Sequence, residues 1–266
     1  MKKLIMRLLP ARFIRRIRYA LDQSRAIAHR LRWSAFAFRE AAVGIGTFDG
    51  FDIAYRIGSV DPSVLQHSFE KDIFFPAIPE YSLPADGVVL DVGAHIGTFS
   101  LLAATKAPKG RVFAIEASRD TFDLLRANVS MSGLPNIRVD HLALTDRAGM
   151  VKLHHDPDGN YGHSVTKQLS SSSEAVPAAT LPQYLEERDI GRIDLIKFNC
   201  EGAEFSILLS TPAGILRRIR KMIVLYHCDL VEHADVSALT GHLAASGFET
   251  RTINQTEGRG WIIATR

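Results

Sequence analysis

The stretch that most constrains the fold is residues 88–100, with the sequence VVLDVGAHIGTFS. Its first five residues are apolar except for Asp91, a pattern typical of a strand buried on both faces of a parallel sheet. Gly93 and Gly97 then bracket a tight turn, and residues 98–106 carry apolar side chains at helical spacing. Strand, glycine turn and helix together form a ligand cradle, because glycine allows close backbone approach and a helix start offers unpaired N–H groups.

The ligand of this cradle is not predicted to be a dinucleotide. The spacing is Gly-x-x-x-Gly rather than Gly-x-Gly-x-x-Gly, which argues against a NAD-dependent dehydrogenase. Asp91 would repel a pyrophosphate and attract a cation such as an amino group or a sulfonium. Residues 111–116 (RVFAIE) predict a second strand ending in Glu116, where an acid is placed to bind ribose hydroxyls. The combination resembles the S-adenosylmethionine (SAM) site of Rossmann-like methyltransferases.

The alternation of strand and helix patterns from residue 88 onward predicts an α/β fold with a mostly parallel sheet and helices on both faces. Residues 248–253 and 261–265 flank a glycine turn and predict a closing antiparallel pair. Residues 149–180 break the alternation. We expect a lid-like insertion there that binds the acceptor, because loops this long are usually functional or disordered. With 266 residues and 46% hydrophobic content, the chain can form one such domain, over residues 43–266, plus an extension.

Two segments precede the alternating pattern. Residues 43–87 predict a lead-in with a β-hairpin, a helical turn and an aromatic loop that either caps the cofactor pocket or packs in the core. Residues 1–42 predict a basic helical extension, since residues 1–39 hold eleven Lys and Arg against one acid. This extension either lies on an anionic membrane surface or packs, solvated, on the body or a second subunit.

Localisation is predicted to be cytoplasmic, with peripheral contact at the inner face of a membrane as the further hypothesis. No run of 18 apolar residues occurs, so no transmembrane helix is expected. Cys200 and Cys228, the two cysteines of the chain, do not make a disulfide framework, which favours a reducing compartment.

Polar residues follow the three later strands that the apolar patterns predict. Residues 136–144 predict the third strand, and Asp140 and His141 fall near its C-terminal end. Asn199 and Glu201 follow the fourth strand, and His227 ends the fifth. The carboxyl ends of parallel strands meet at one edge of the sheet, and ligands bind along that edge. We therefore expect these side chains to lie near the glycine cradle.

Several segments together resemble the FkbM-type SAM-dependent methyltransferases. The matching segments are residues 91–97 (DVGAHIG), 114–117 (AIEA), 128–133, 143–146 (ALTD) and 193–204 (IDLIKFNCEGAE). The last is the most specific, because the family pattern is close to IDLIKxDxEGAE. The resemblance covers about residues 47–265 and leaves the basic N-terminus outside.

This resemblance implies a class I methyltransferase sheet with an antiparallel last strand, SAM as the cofactor, and O-methylation of sugar or natural-product hydroxyls. The cofactor-binding candidates are Asp91, Gly93, Ala94, His95, Gly97, Glu116, Ala117, Asp140, His141 and Asn199. Three departures from the family pattern involve four positions. His95 replaces the usual asparagine, Ala117 and Ser118 replace a proline-containing pair, and Asn199 replaces aspartate, which weakens a metal role there.

Individual roles follow for the acidic candidates. We expect Asp91 to contact the methionine end of SAM, directly or through water, and Glu116 to bind the ribose. Asp140, with His141 nearby, is expected to hold the adenine amino group. A structural role is the equal alternative for this last pair.

Methyl transfer to a hydroxyl releases a proton, so a base assists the reaction. Glu201 is a candidate base or acceptor anchor, and its alternative is to cap the next helix. His227 is the second candidate base, and its alternative is a structural strand-end role. Glu204 is more typical of a helix-start acid. A divalent cation bound by Glu201, His227 and Asp229 lacks a tight spacing motif, so we assign no metal.

Two rival functions remain. An N-methyltransferase would not need a base at Glu201 or His227. A nucleic-acid-binding protein with a vestigial cofactor fold would use the basic N-terminus, but the body is acidic and lacks aromatic–basic interleaving. We therefore expect a small-molecule or glycan hydroxyl acceptor and no nucleic acid. The sequence leaves the acceptor's identity and the oligomeric state open.

Overall fold

The computed structural model describes residues 43–70, 82–155, 163–256 and 258–266. Three expected features lie outside these residues. They are the basic helices of residues 1–42, the aromatic loop with Phe74, Phe75, Pro76 and Tyr81, and the turn at residues 156–162 with Tyr161.

The described part of the chain forms twelve strands and seven α-helices. The strands are β1 (Val43–Phe48), β2 (Phe51–Arg56), β3 (Val88–Val92), β4 (Arg111–Glu116), β5 (Ile137–His141), β6 (Ala143–Leu144), β7 (Gly149–His154), β8 (Ser173–Ala179), β9 (Leu195–Phe198), β10 (Lys221–His227), β11 (Glu249–Thr256) and β12 (Arg259–Thr265). The helices are α1 (Asp61–Leu65), α2 (Thr98–Lys106), α3 (Arg119–Ser132), α4 (Leu181–Glu187), α5 (Ala203–Ser210), α6 (Ala213–Leu216) and α7 (Val236–Ala245). A π-helical turn (Gln66–Glu70) follows α1, and a 3-10 turn (Cys228–Leu230) follows β10.

A seven-stranded sheet with the order β11-β12-β10-β9-β3-β4-β5 forms the centre of the described chain. The five strands from β10 to β5 are mutually parallel, whereas β12 pairs antiparallel with both β10 and β11. This topology confirms the predicted α/β fold with a mostly parallel sheet and an antiparallel last strand.

Helices cover both faces of this sheet, which explains why its central strands are continuously apolar. On one face, Leu90 and Val224 belong to a core that includes residues of α4, α5 and α7. On the other face, Val89 and Ile223 pack with Phe99 of α2. Because both faces are buried, only the strand ends can present polar side chains to a ligand.

The insertion after β5 contains more regular structure than predicted. The expectation of one strand over residues 136–144 is wrong at its end, because the chain leaves the central sheet after His141 and pairs Ala143 and Leu144 with β8. Strands β6, β8 and β7 form a separate three-stranded sheet, and the serine run leads directly into β8. Alanine-rich β8 has little strand propensity of its own, so its pairing with β7 and β6 decides its conformation.

The predicted hairpin before the main sheet is confirmed by the antiparallel pairing of β1 with β2. Asp49 and Gly50 form its turn, both at positive φ (49° and 84°), as two-residue hairpin loops require. Among the described residues, no helix combines the length and the apolar character needed to cross a membrane.

Candidate functional site

A cavity of about 440 Å³ opens at the carboxyl ends of the central strands, a size typical of small-molecule sites. Its lining includes eight of the predicted site residues, namely Gly93, Ala94, His95, Glu116, Ala117, Asn199, Glu201 and His227. The other four, Asp91, Gly97, Asp140 and His141, are not part of the lining. The fold thus brings together residues that lie more than a hundred positions apart in the sequence.

The glycine turn after β3 is shaped by its closeness to the end of β9. Gly93 has φ +74°, and a Cβ atom at this position would lie 1.8 Å from the Asn199 carbonyl oxygen. The backbone N–H groups of Gly93 and Ala94 both donate to the Ile115 carbonyl oxygen, at 3.0 and 2.9 Å. Gly97 has φ +94° and precedes the first residue of α2, so it shapes the turn without facing the cavity. Position 93 therefore requires glycine, because its φ is positive and because a side chain would collide with the Asn199 carbonyl oxygen.

Asp91 is fully buried and is not among the residues that line the cavity. Its Oδ1 accepts a hydrogen bond from Lys197 Nζ (2.9 Å), and its Oδ2 accepts one from Ser100 Oγ (2.6 Å). Lys197 Nζ also donates to the Gly93 carbonyl oxygen at 2.8 Å. The cation that Asp91 attracts is thus Lys197 of the neighbouring strand, and the effect of Asp91 on the turn passes through this lysine.

Glu116 lies at the end of β4, as predicted, and lines the cavity. Its Oε2 accepts from the His95 backbone N–H and its Oε1 from the Ser118 backbone N–H, both at 2.9 Å. Burial raises the pKa of Glu116 above its ordinary value, and these two hydrogen bonds offset only part of that rise. Each carboxylate oxygen keeps further acceptor capacity, so Glu116 could accept hydrogen bonds from vicinal hydroxyls.

Asp140 and His141 are held by protein groups instead of facing the cavity. Asp140 accepts from Arg188 Nη2 (3.0 Å) and from the Tyr184 hydroxyl (2.8 Å). Burial raises the Asp140 pKa, but these two bonds outweigh it and the net pKa lies below the ordinary value. The His141 imidazole Nε2 lies 2.9 Å from the Ala117 carbonyl oxygen. His141 thus supports a cavity-lining backbone segment, and the Asp140 carboxylate is engaged by Arg188 and Tyr184. The adenine contact of Asp140 stays a prediction.

Glu201 follows β9 in a strained, left-handed conformation (φ 50°), and its carbonyl oxygen accepts from Ser164 Oγ at 2.8 Å. Its Oε2 lies 3.4 Å from His227 Nε2. Burial raises the pKa of Glu201, and the charge of His227 lowers it in part, leaving it above its ordinary value. The Glu201 side chain is 10% exposed and that of His227 is 0% exposed, so Glu201 is the member of the pair that reaches the cavity surface.

Glu204 holds His227 from the other side. Its Oε1 accepts from the His227 backbone N–H (2.8 Å) and lies 2.9 Å from His227 Nδ1. This geometry places a proton on Nδ1, and in the charged imidazolium a second proton on Nε2 faces Glu201. Burial lowers the pKa of His227, but the hydrogen bond and charge of Glu204, with the charge of Glu201, raise it above its ordinary value.

The assignment of Glu204 as a helix-start acid was therefore incomplete. It does lie in the first turn of α5 and accepts from the Gly202 backbone N–H, at 3.1 and 3.2 Å. Its fully buried carboxylate also fixes the orientation of His227, a role that the sequence reasoning missed. No local signal could reveal it, because the two residues meet only when β10 pairs beside β9.

Two further cavity-lining residues were also missed, Lys197 and Arg259. A signal for Lys197 existed, since it and Asp91 are lone opposite charges in two neighbouring apolar strands. Arg259 Nη2 pairs with Asp229 (2.8 Å), and its Nη1 lies 4.0 Å from Glu201 Oε2. Asp229 is thus engaged by an arginine.

The described part of the chain contains no group of three or more His, Cys, Asp or Glu side chains that could hold a metal ion.

Asn199 lines the cavity at the end of β9. Its side-chain Oδ1 is buried and has no hydrogen-bond partner among the described residues. A buried acceptor of this kind costs free energy unless a ligand or water supplies a donor. Asn199 therefore fits a ligand that brings an N–H group or a positive charge to the glycine turn.

Comparison with known proteins places this site in a family context. The family model described as "Methyltransferase FkbM domain" matches residues 91–248. The 31-O-demethyl-FK506 methyltransferase FkbM of Streptomyces tacrolimicus is 28% identical over 192 residues, which cover 61% of this chain and 70% of that protein. The hexuronic acid methyltransferase AglP of Haloferax volcanii is 28% identical over 182 residues, which cover 68% of this chain and 71% of that protein.

Among solved structures, the methyltransferase FkbM from Methylobacillus flagellatus KT superposes with a TM-score of 0.52 at 13% identity. The match covers 72% of this chain and 47% of that chain, and supports the fold alone. One curated relative matches over only 10% of its own length. The proposals for activity and substrate therefore rest on the residues of the site.

Proposed function

The chain belongs to the methyltransferase FkbM family, and from this premise we propose that it transfers a methyl group from SAM to a hydroxyl of a sugar, a glycan precursor or a secondary metabolite. The observation that carries this proposal is the buried series Glu204, His227 and Glu201, which ends at the cavity. A hydroxyl acceptor needs such a proton-accepting arrangement, because its proton has to leave as the new C–O bond forms.

The residues of the cavity fit SAM. Glu116 offers carboxylate oxygens suited to ribose hydroxyls, and Gly93 keeps the turn beside the cavity free of a side chain. The unpartnered Asn199 Oδ1 suits an N–H or cationic donor of the methionine portion. When bound, SAM would supply an electrophilic methyl group on a sulfonium. The protein's contribution would be alignment and desolvation, which can account for much of the rate of such a displacement.

We assign the acceptor's proton to Glu201. Its carboxylate reaches the cavity surface, and its pKa, raised by burial, makes it a stronger base than an exposed carboxylate. His227 stabilises the Glu201 carboxylate from behind, and Glu204 keeps the imidazole in the required orientation. The hydroxyl proton passes to a Glu201 carboxylate oxygen, and the acceptor oxygen is freed for attack.

The acceptor class can be tested with simple probes. Transfer of labelled methyl from SAM should be measured to methyl glucuronide and methyl glucoside, chosen because one relative is a hexuronic acid methyltransferase. Glucosamine in parallel tests the N-methyltransferase alternative. Labelled O-methyl product with either hydroxyl probe supports the proposal. Label only on the glucosamine nitrogen would favour N-methyl transfer instead.

Replacing Glu116 should weaken cofactor binding. A charge-assisted hydrogen bond contributes about 1.5–3 kcal/mol, so Glu116→Ala should raise the Kd for SAM by about 10- to 100-fold. Because the pKa of Glu116 is raised, the affinity of the unsubstituted protein should also fall as the pH is lowered towards that pKa and the carboxylate is protonated. Calorimetric titration with SAM measures both effects. Glu186→Gln, on an exposed position of α4, is the matched control, and NAD is the control ligand.

Unchanged SAM affinity in the Glu116→Ala protein would contradict the ribose role. Absence of SAM binding by the unsubstituted protein at high concentration would contradict the cofactor assignment as a whole.

We also propose that residues 1–39 hold the enzyme at an anionic membrane surface on the cytoplasmic side. The support is that this segment holds eleven basic residues and one acid. Deleting residues 1–39 should abolish co-sedimentation with vesicles containing anionic lipid, and raised salt should weaken binding of the full chain. Equal sedimentation of both proteins would remove this part of the proposal.

A further inference from the structure

A buried ion pair lies in the segment that precedes the family match. Arg56, at the end of β2, is 4% exposed, and Asp61, at the start of α1, is 0% exposed. Arg56 donates to Asp61 through Nε and Nη2, both at 2.9 Å, and through its backbone N–H at 2.8 Å. Burial raises the Asp61 pKa, but the hydrogen bond from Arg56 and the charges of His95 and Arg56 bring it below the ordinary value. Two desolvated charges of this kind are costly unless they are well paired.

This pair contacts the cofactor turn at His95. The His95 Nε2 atom lies 3.3 Å from Arg56 Nη2 and 3.3 Å from Asp61 Oδ1. Arg56 Nη1 also donates to Thr121 Oγ1 at 3.0 Å, and Thr121 lines the cavity. The hairpin segment and the glycine turn are therefore joined by charged and polar side chains directly at the site.

His95 needs such support because its backbone is left-handed. Its φ is 53°, a conformation that costs a residue with a Cβ atom about 1–2 kcal/mol. In this conformation its backbone N–H donates to Glu116 Oε2 at 2.9 Å. A change in the His95 backbone would therefore move the hydrogen bond that orients the proposed ribose acid.

A second contact ties the same elements together. The buried Asn128 side chain accepts from the Ala54 backbone N–H (2.7 Å) and donates to the Ala54 and Ile96 carbonyl oxygens (3.0 and 2.8 Å). Ala54 belongs to β2, and Ile96 follows His95 in the turn. The hairpin is thus fixed against the turn at His95 and at Ile96, the residue that follows it.

We propose that Arg56 and Asp61 are positioning residues of the SAM site, which hold the His95 backbone so that its N–H orients Glu116. This inference rests on the proposed cofactor role of the cavity. It extends the functional unit to residues 51–61, which lie outside the matched family region of residues 91–248.

The test compares SAM affinity with stability in matched variants. Arg56→Lys and Asp61→Asn should each raise the Kd for SAM by about tenfold or more, a change of about 1.4 kcal/mol. Adding His95→Asn to either variant should restore affinity, because asparagine adopts the left-handed conformation more readily than histidine without side-chain support. It should not restore stability, since the ion pair stays broken.

Asp194→Asn is the control for a purely structural loss. Asp194 is 3% exposed, accepts from the Val88 backbone N–H at 2.9 Å, and lies before β9, away from the cavity. It should lower stability without changing the Kd for SAM. Calorimetric titration gives the affinities, and urea unfolding gives the free energies of unfolding.

The outcomes separate this inference from the function on which it rests. A tenfold rise in the Kd for SAM that His95→Asn reverses supports the positioning role of Arg56 and Asp61. The Arg56→Lys protein alone suffices for this test if Asp61→Asn does not fold. Three results would overturn the inference and leave the cofactor site intact. They are an unchanged Kd for SAM in Arg56→Lys, a Kd that His95→Asn does not restore, and an equal rise in the Kd in Asp194→Asn. Failure of the unsubstituted protein to bind SAM would overturn both.

Discussion

Replacing Glu201 with glutamine is expected to lower kcat for a hydroxyl acceptor by about 10²- to 10⁴-fold, the usual effect of removing a general base. The change keeps the size of the side chain and removes only its ability to take the proton. The Kd for SAM should stay unchanged, because the proposed cofactor contacts lie on Glu116, Asn199 and the glycine turn. Single-turnover rates of labelled methyl transfer at saturating SAM measure the effect on the chemical step. Glu232→Gln, at an exposed position, is the matched control.

The pH dependence of the rate distinguishes Glu201 from its neighbour. Glu201 has to be ionised to accept a proton, so the rate should fall as the pH drops through its raised pKa. The charge of His227 lowers that pKa. His227→Asn should therefore raise the pKa of Glu201 and move the acidic limb of the pH–rate profile to higher pH. Full activity of both variants at all pH values would contradict the base assignment and favour N-methyl transfer.

Replacing Lys197 with methionine is expected to lower the free energy of unfolding by about 3–5 kcal/mol, because it leaves the buried Asp91 carboxylate without its counter-charge. The Asp91 side chain is 0% exposed and that of Lys197 is 5% exposed, so water cannot replace the pairing. Urea unfolding measures the loss. Lys152→Met, on an exposed position of β7, should change stability by less than about 0.5 kcal/mol.

A double variant separates the stability role of Lys197 from its role at the cofactor turn. Adding Asp91→Asn removes the unpaired charge and should recover much of the lost stability. SAM affinity should be reduced in both the single and the double variant, because both lack the bond from Lys197 Nζ to the Gly93 carbonyl oxygen. Recovery of both properties together would show that Lys197 acts only by neutralising Asp91.

The secondary structure of the central sheet could be predicted because its signals are local. Continuous apolar runs specify strands that are covered on both faces, and the structure has β3 and β4 at the predicted residues. The glycine turn was predictable for the same reason, since a positive φ at Gly93 is a property of one residue. Glu116 could be placed on the cavity because it ends a strand.

The strand β8 and the partners of the strand-end acids were not predictable in this way. The alanine-rich sequence of β8 takes its conformation from hydrogen bonds with β7 and β6. Asp140 follows the rule that strand-end acids meet ligands, yet Arg188 and Tyr184 engage it first. Such competition depends on which helix packs over the strand end, and no local pattern encodes that packing.

The α/β fold, the glycine cradle and the edge of the sheet where polar residues gather were all predictable, because strand period, glycine conformation and strand direction are short-range properties. The tertiary structure alone decided which of those polar residues face the cavity. It turned Asp91 inward to Lys197, set Glu204 behind His227, and brought Arg56 and Asp61 to His95. Each of these contacts joins charges from different strands, helices or turns, and burial makes such pairing between elements obligatory once the chain has folded.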